Sequence, residues 1–245
     1  LSNNKLFIDK KNIRRIVILT GAGVSAESGL KTFRDSNGLW EGHAVEDVAT
    51  PEGFERDQEL VYRFYNERRR QLLSDEVEPN AAHFALAELE NKFDGELLLV
   101  TQNVDDLHER AGSRNVLHMH GELLSARCCR SGKAFRVTED VDGTSRCQCC
   151  EPSSHIRPNI VWFGEMPFYM DEIYRALSQA DLFISIGTSG DVYPAAGFVQ
   201  EASMRGAYSL EINLEPSQGQ SYFNHGMYGL ATTQVSAFVN DFLNS

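Results

Sequence analysis

Apolar residues along this chain fall into short continuous runs that stop at glycine-bearing or polar loops. These are "RRIVILTGAG" at 14–23, "GELLLVTQNVDDLH" at 95–108, "ADLFISIGTSGDV" at 180–192 and "AYSLEINLEP" at 207–216. Runs without alternation describe strands buried on both faces of a parallel sheet, and helix-length stretches separate them. The predicted class is α/β, with a Rossmann-like parallel sheet. In such sheets the loops at the carboxyl ends of the strands share one crevice, so the tails "TGAG", "TQNVD", "GTSG" and "NLE" are expected to face a common ligand site.

Two excursions interrupt the pattern, at about 31–80 and 124–165, leaving a sheet core of about 12–30, 81–123 and 166–245. The first contains "DQELVYRFYNERRRQLLS", whose apolar residues recur every three to four positions and predict an amphipathic helix. The second holds all five cysteines and little periodicity. Together they are expected to form a smaller inserted module, part helical and part zinc ribbon. No repeat, low-complexity tract or flexible linker is seen.

At 245 residues, 42% hydrophobic and 24% charged, the chain can bury one sizeable core and a small appended module. Its apolar runs fall far short of the roughly 20 residues that span a bilayer, so no membrane partner is expected. The opening "LSNNKLFIDKKNIRRIVIL" has no apolar leader with a cleavage site, which makes the cytoplasm the expected compartment. A net charge of −12 disfavours phosphate backbones, so no nucleic-acid partner is expected.

Cys128, Cys129, Cys147, Cys149 and Cys150 all lie within 23 residues. An odd number crowded into one segment argues for a metal rather than a disulfide framework. A zinc ribbon wants Cys-x2-Cys twice. Cys147 and Cys150 supply the second pair and Cys128 half of the first, but Ser131 stands where its partner belongs. Cys129, Cys149 or a water completes the shell, or the metal is held weakly.

Gly21, Gly23 and Ala26 match G-x-G-x-x-G/A after a strand, where small residues let backbone N–H groups approach a pyrophosphate. The same turn also occurs without a ligand. A hydride-transfer domain should reach a second strand ending in Asp or Glu about 20 residues on, and "TFRDSNGLWEGH" occupies that place instead. The dinucleotide reading survives and the redox reading weakens.

The ordered blocks "GAGVSAESGLKTFR", "TQNVDDLH", "HMHGEL", "WFGE", "GTSGDVYPAA" and "INLEP", with the cysteine cluster between the third and fourth, resemble the sirtuin family of NAD-dependent protein-lysine deacylases. The resemblance runs from about 14 to 240 and looks closest to the bacterial class that also resembles the mitochondrial desuccinylase. It implies a single catalytic domain over 1–245. One departure is Lys31, where many members carry proline.

The resemblance implies that NAD is consumed as a cosubstrate, releasing nicotinamide and O-acyl-ADP-ribose. It places Gly21, Ala22, Gly23, Ala26, Glu27, Phe33, Arg34 and Trp40 around the cofactor loop, with Phe33 over the reactive ribose face. Gln102, Asn103, Val104 and Asp105 would line the nicotinamide pocket, with Asn103 catalytic. Gly187, Thr188 and Ser189 would meet phosphates and ribose, Asn213, Leu214 and Glu215 the adenosine, and Ala231 the adenine. His120 would be the general base, since an imidazole with an ordinary pKa near 6.5 can accept a ribose hydroxyl proton at cellular pH. His118 and His108 are its rivals.

By the same resemblance, Val161, Phe163, Gly164 and Glu165 would bind the acyl-lysine substrate as an extended peptide; on pattern alone "VWFGE" reads as a short buried strand. Tyr65 and Arg68, three apart on a helix, share a face and could grip a carboxylate on the acyl chain, which implies deacetylase and desuccinylase activity. The plain alternative is a solvated run, Arg68 to Arg70. The protein is expected to act as a monomer. An NAD-dependent ADP-ribosyltransferase and an NAD-sensing module without turnover are the rival functions.

Overall fold

The computed structural model describes residues 10–30, 39–40 and 42–244. Lys31, Phe33 and Arg34 lie outside them. Strand β1 (Arg15–Thr20) sends Ile16 and Ile18 to one face of its sheet and Val17 and Leu19 to the other, which is why its sequence does not alternate. After it come a short hairpin, β2 (Leu39–Trp40) and β3 (His43–Ala44), and the helices α1 (Val45–Val48), α2 (Pro51–Arg56) and α3 (Gln58–Leu72). The chain returns to the main layer through α4 (Ala81–Lys92), β4 (Glu96–Thr101), α5 (Leu107–Ala111) and β5 (Val116–His118).

A separate antiparallel sheet follows, built from β6 (Gly121–Cys128), β7 (Ala134–Arg136) and β8 (Ile156–Ile160) in the order β7-β6-β8. The main layer closes with α6 (Met170–Leu177), β9 (Leu182–Ile186), α7 (Phe198–Met204), β10 (Tyr208–Asn213), β11 (His225–Tyr228) and α8 (Ala231–Asn244). Its six strands run β11-β10-β9-β1-β4-β5, and every neighbouring pair is parallel. This is the α/β architecture that the apolar runs predict.

Both faces of the sheet are covered. Leu86 and Leu89 of α4 and Phe238 and Phe242 of α8 pack on one side, and Ile173 and Leu177 of α6 and Phe198 of α7 on the other. Register then places the site. Thr20 is level with Thr101 and with Ile186, and Ile186 with Ile212. The next residues, Gly21, Gln102, Gly187 and Asn213, therefore leave the sheet side by side.

The smaller module has its own core, in which Val61, Tyr62, Phe64 and Tyr65 of α3 meet Leu123, Leu124, Ile156 and Trp162. The side chain of Asp57 caps α3 by accepting from Leu60 N at 2.9 Å. β6 already begins at Gly121, ahead of the expected start of the excursion at residue 124. Helical geometry splits the arginine run rather than solvating it whole. Arg69 is 1% exposed and bonds the carbonyls of Leu123 and Glu139, Arg68 keeps 17% of its side chain exposed, and Arg70 keeps 62%. Among the described residues, no helix is long and apolar enough to cross a membrane.

Candidate active site

A cleft of about 1050 Å³ opens where the main sheet meets the smaller module. Its walls come from the carboxyl-end loops of β1, β4, β9 and β10, from α3, and from the segment after β8. This volume lies just above the roughly 300–1,000 Å³ usual for ligand pockets.

Gly21 and Gly23 of the first loop border the cleft, and their N–H groups are bonded within the protein. Gly21 N–H donates to Ile186 O and Gly23 N–H to Gly187 O, both at 2.9 Å. A Cβ on Gly23 would stand 2.7 Å from Gly187 Cα, and one on Gly21 would stand 2.8 Å from Gly187 O. These residues are small because two backbone loops touch, and their N–H groups are already spent. Gly187 itself sits at φ +62, where glycine carries no steric penalty.

Asn103, Asp105 and Ser25 form a buried polar floor. Ser25 Oγ donates to Asp105 Oδ2 at 3.1 Å and accepts from Asn103 Nδ2 at 3.1 Å. His83 completes it from α4. Its Nδ1 accepts from Asn80 N, so its Nε2 carries the hydrogen toward Ser25 Oγ at 3.4 Å. Burial pushes His83 down to about 4 and Asp105 up to about 6. Beneath them His108 Nε2 donates to Thr20 Oγ1, which donates to Thr101 Oγ1, which accepts Asn103 N–H at 3.0 Å.

His120 borders the same cleft. Its Nδ1 lies 3.2 Å from Gln102 O, and a carbonyl can only accept, so the ring hydrogen sits on Nδ1 and the Nε2 lone pair is left to take a proton. Burial lowers its pKa, which keeps the ring neutral at cellular pH.

Several expected cofactor residues line the cleft but are engaged with the protein. Glu27 accepts from the N–H and hydroxyl of Thr232 and so caps the first turn of α8. Asn213 Nδ2 donates to Thr188 O at 2.7 Å, and Asn213 Oδ1 accepts from Leu214 N. Ala22, Ala26, Trp40, Gln102, Val104, Ser189, Leu214, Glu215 and Ala231 also lie on the wall. Trp40 is held edge-on by Phe64, with ring centroids 4.9 Å apart.

The "VWFGE" segment is a turn following β8 rather than a strand. The N–H groups of Val161 and Phe163 go to His120 O and Ala49 O, and that of Trp162 goes to the Glu165 carboxylate. Glu165 also accepts from Arg127 and Arg157, and Arg157 stacks on Trp162 with its guanidinium carbon 3.4 Å from the ring centre. Glu165 thus braces the turn from within. Gly164, at φ +88, forms its bend.

Arg68 reaches the cleft across the face of Phe64, its guanidinium carbon 4.6 Å from the ring centre; its Nη2 lies 3.6 Å from Glu67 Oε2, and its buried Nε and Nη1 find no acceptor among the described residues. Tyr65 does not border the cleft. It is wholly buried, and its hydroxyl accepts from Trp162 Nε1 at 2.9 Å.

In the second excursion Cys128, Cys147, Cys149 and Cys150 bring their sulfurs within 4.8 Å of one another. Tetrahedral zinc with Zn–S of about 2.3 Å sets its sulfurs about 3.8 Å apart. Cys128 and Cys150 are 3.7 Å apart and Cys149 and Cys150 3.9 Å, far beyond a disulfide bond. The group fits a structural zinc ion. The fourth sulfur comes from Cys149; Cys129 lies outside the group, and Ser131 instead places its hydroxyl 3.1 Å from Cys149 Sγ.

Sequence reasoning missed Ser25 and His83, and left Cys149 as one of several candidates for the fourth zinc ligand. Asn80 and His83 carried a usable signal, a polar residue three positions after a helix cap. Ser25 had none beyond being a small residue in a glycine-rich loop.

A doubly covered parallel sheet, a cleft at its carboxyl edge and a cysteine-bound module define a dinucleotide-binding α/β protein with a structural metal site. The profile of the Sir2 family matches residues 21–194, and the chain belongs to that family. It is 62% identical over 229 residues to the NAD-dependent protein deacylase of Pasteurella multocida, covering 94% of this chain and 98% of that one. The NAD-dependent protein deacylase of Escherichia coli K12 is 60% identical over 229 residues, covering 94% and 82%. A Sir2 homologue solved with NAD superposes with a TM-score of 0.86 at 38% identity, covering 96% and 91%. A Sir2 protein solved with a deacetylated p53 peptide and 3'-O-acetyl ADP-ribose does so with a TM-score of 0.78 at 32% identity, covering 96% and 94%.

Proposed function

We propose that this protein is an NAD-dependent protein-lysine deacylase acting on acetyl- and succinyl-lysine in extended peptides. The observation that carries the reading is one cleft shared by the Asn103–Ser25–Asp105 floor, the base-competent His120 and the guanidinium of Arg68, whose Nη2 lies 3.6 Å from Glu67 while its Nε and Nη1 have no hydrogen-bond partner among the described residues. NAD supplies the glycosidic bond whose cleavage releases nicotinamide, and the ribose that takes up the acyl group.

The chain's own residues do the rest. Asp105 and Asn103 orient the nicotinamide end, and burial around them keeps water from competing. His120 Nε2 accepts the proton of a ribose hydroxyl. Gly187, Thr188 and Ser189 face the phosphate region, and Leu214, Glu215 and Ala231 face the adenosine. Within the cofactor loop, the donors come from N–H groups other than those of Gly21 and Gly23, which are committed. Phe33 and Arg34 are proposed for this loop on the family resemblance alone.

A substrate peptide meets the 161–165 turn chiefly through its carbonyls and Gly164, because the N–H groups of Val161, Trp162 and Phe163 are already bonded. Main-chain recognition of this kind reads little side-chain sequence. Arg68 pairs with the distal carboxylate of a succinyl group, a charge-assisted contact made where two of its guanidinium nitrogens are desolvated and have no hydrogen-bond partner among the described residues. Tyr65 serves this pocket by holding Trp162. The protein works as a monomer in the cytoplasm.

The test is one peptide carrying acetyl, succinyl, malonyl or longer acyl groups, assayed with and without labelled NAD. Nicotinamide and O-acyl-ADP-ribose appearing only with NAD support the reading. Label transferred to protein instead would mark an ADP-ribosyltransferase, and the absence of nicotinamide release would mark a sensor.

A further inference from the structure

Asn103 is held through its backbone N–H, its side-chain Nδ2 and its backbone carbonyl. Its N–H is bound by Thr101 and its side chain by Ser25, and its carbonyl oxygen faces His118 Nδ1 at 3.2 Å. The other ring nitrogen of His118, Nε2, lies 2.7 Å from Glu109 Oε1. His118 is buried, standing at the end of β5 with Glu109 on α5.

A carbonyl and a carboxylate oxygen both accept and neither donates. For both contacts to exist, both ring nitrogens must carry hydrogen. We propose that His118, held as an imidazolium by Glu109, is a positioning residue that fixes Asn103 through its backbone carbonyl. This rests on the assignment of Asn103 to the nicotinamide side of the cleft.

The surroundings support the charge. Burial alone disfavours it, but the bond and the charge of Glu109 outweigh that, with Glu122 of β6 adding to them, and His118 stays protonated above the usual histidine range. Asp105, in the loop after β4, faces the same ring, as does His108 of α5, which burial keeps neutral. When His118 loses its proton, the remaining hydrogen stays toward the carboxylate, the stronger acceptor. Nδ1 then turns a lone pair toward the lone pairs of Asn103 O, and the anchor becomes a repulsion. His118 and His120, two residues apart, therefore need opposite charge states: the first protonated to hold Asn103, the second neutral to accept a proton.

The experiment is the pH dependence of kcat/KM for NAD, followed by nicotinamide release with an acetyl-lysine peptide. It compares the full chain with Glu109→Gln, Glu109→Asp, His118→Gln and Asn103→Ala. The wild type is expected to lose activity on an alkaline limb. Glu109→Gln should bring that limb down by at least about one pH unit, the low end for removing an adjacent opposite charge. Glu109→Asp should restore most of it, and the acid limb should stay in place. His118→Gln should abolish the alkaline limb; should that variant fail to fold, the partly exposed Glu109 still carries the test. An alkaline limb absent from the wild type, or unmoved in Glu109→Gln, overturns the inference. Wild-type turnover by Asn103→Ala overturns the site assignment beneath it, whereas an inactive Asn103→Ala with an unmoved limb overturns the inference alone.

Discussion

The indole N–H of Trp162 donates to the hydroxyl of Tyr65 at 2.9 Å, joining the turn after β8 to the middle of α3. Both side chains are buried, and the Arg157 guanidinium stacks on the indole ring. One bond therefore ties that turn to the helix that carries Arg68.

Tyr65→Phe removes the acceptor and leaves a buried donor unsatisfied, at a cost of about 1–3 kcal/mol. Urea unfolding should show a lower midpoint with an unchanged slope. The ratio of desuccinylation to deacetylation should hold; a selective loss of desuccinylation would show that the Tyr65 hydroxyl meets the acyl group after all.

Arg68→Met should depress kcat/KM for a succinyl peptide by roughly 10- to 100-fold, the worth of a hydrogen bond to a charged group at about 1.5–3 kcal/mol. Deacetylation should change little. Parallel assays on the two peptides decide it, and equal losses would return Arg68 to a packing role over Phe64.

His120→Tyr should leave NAD binding largely intact, measured by calorimetry, while deacylation falls by at least about a hundredfold, the lower range for general base catalysis. The sign of the pH dependence follows from burial. A base whose pKa lies below the usual histidine value stays neutral into mildly acidic solution, so activity should persist below pH 6.5 and decline only as pH falls through the lowered value. An acid limb at or above the ordinary value contradicts this.

Cys149→Ser should release zinc, whereas Cys129→Ser should retain about one equivalent, because only the former contributes a sulfur to the cluster. Metal analysis of protein purified without added zinc reads the difference. Chelation of the wild type should lower its melting temperature, since an ion bound by the folded state alone adds to stability.

Periodicity alone carries the α/β class, because strands such as β1 and β9 carry apolar runs without alternation, Ile16 to Leu19 and Leu182 to Ile184, and only a sheet covered on both sides needs that. Local pattern also marked α3, the loops that converge on the cleft, and a metal module without a disulfide framework. Each is written in neighbouring residues, where spacing along the chain sets spacing in space. What tertiary structure decided was partnership. Gly21 and Gly23 are small because Gly187 arrives from another strand, and Glu27 caps a helix 205 residues away. Asn103 is gripped by Ser25, Thr101 and His118 from three elements, and Cys149 rather than Cys129 completes the sulfur cluster. A hydrogen bond or metal shell depends on where distant segments meet and which way their atoms point, and neither is recorded in the order of residues.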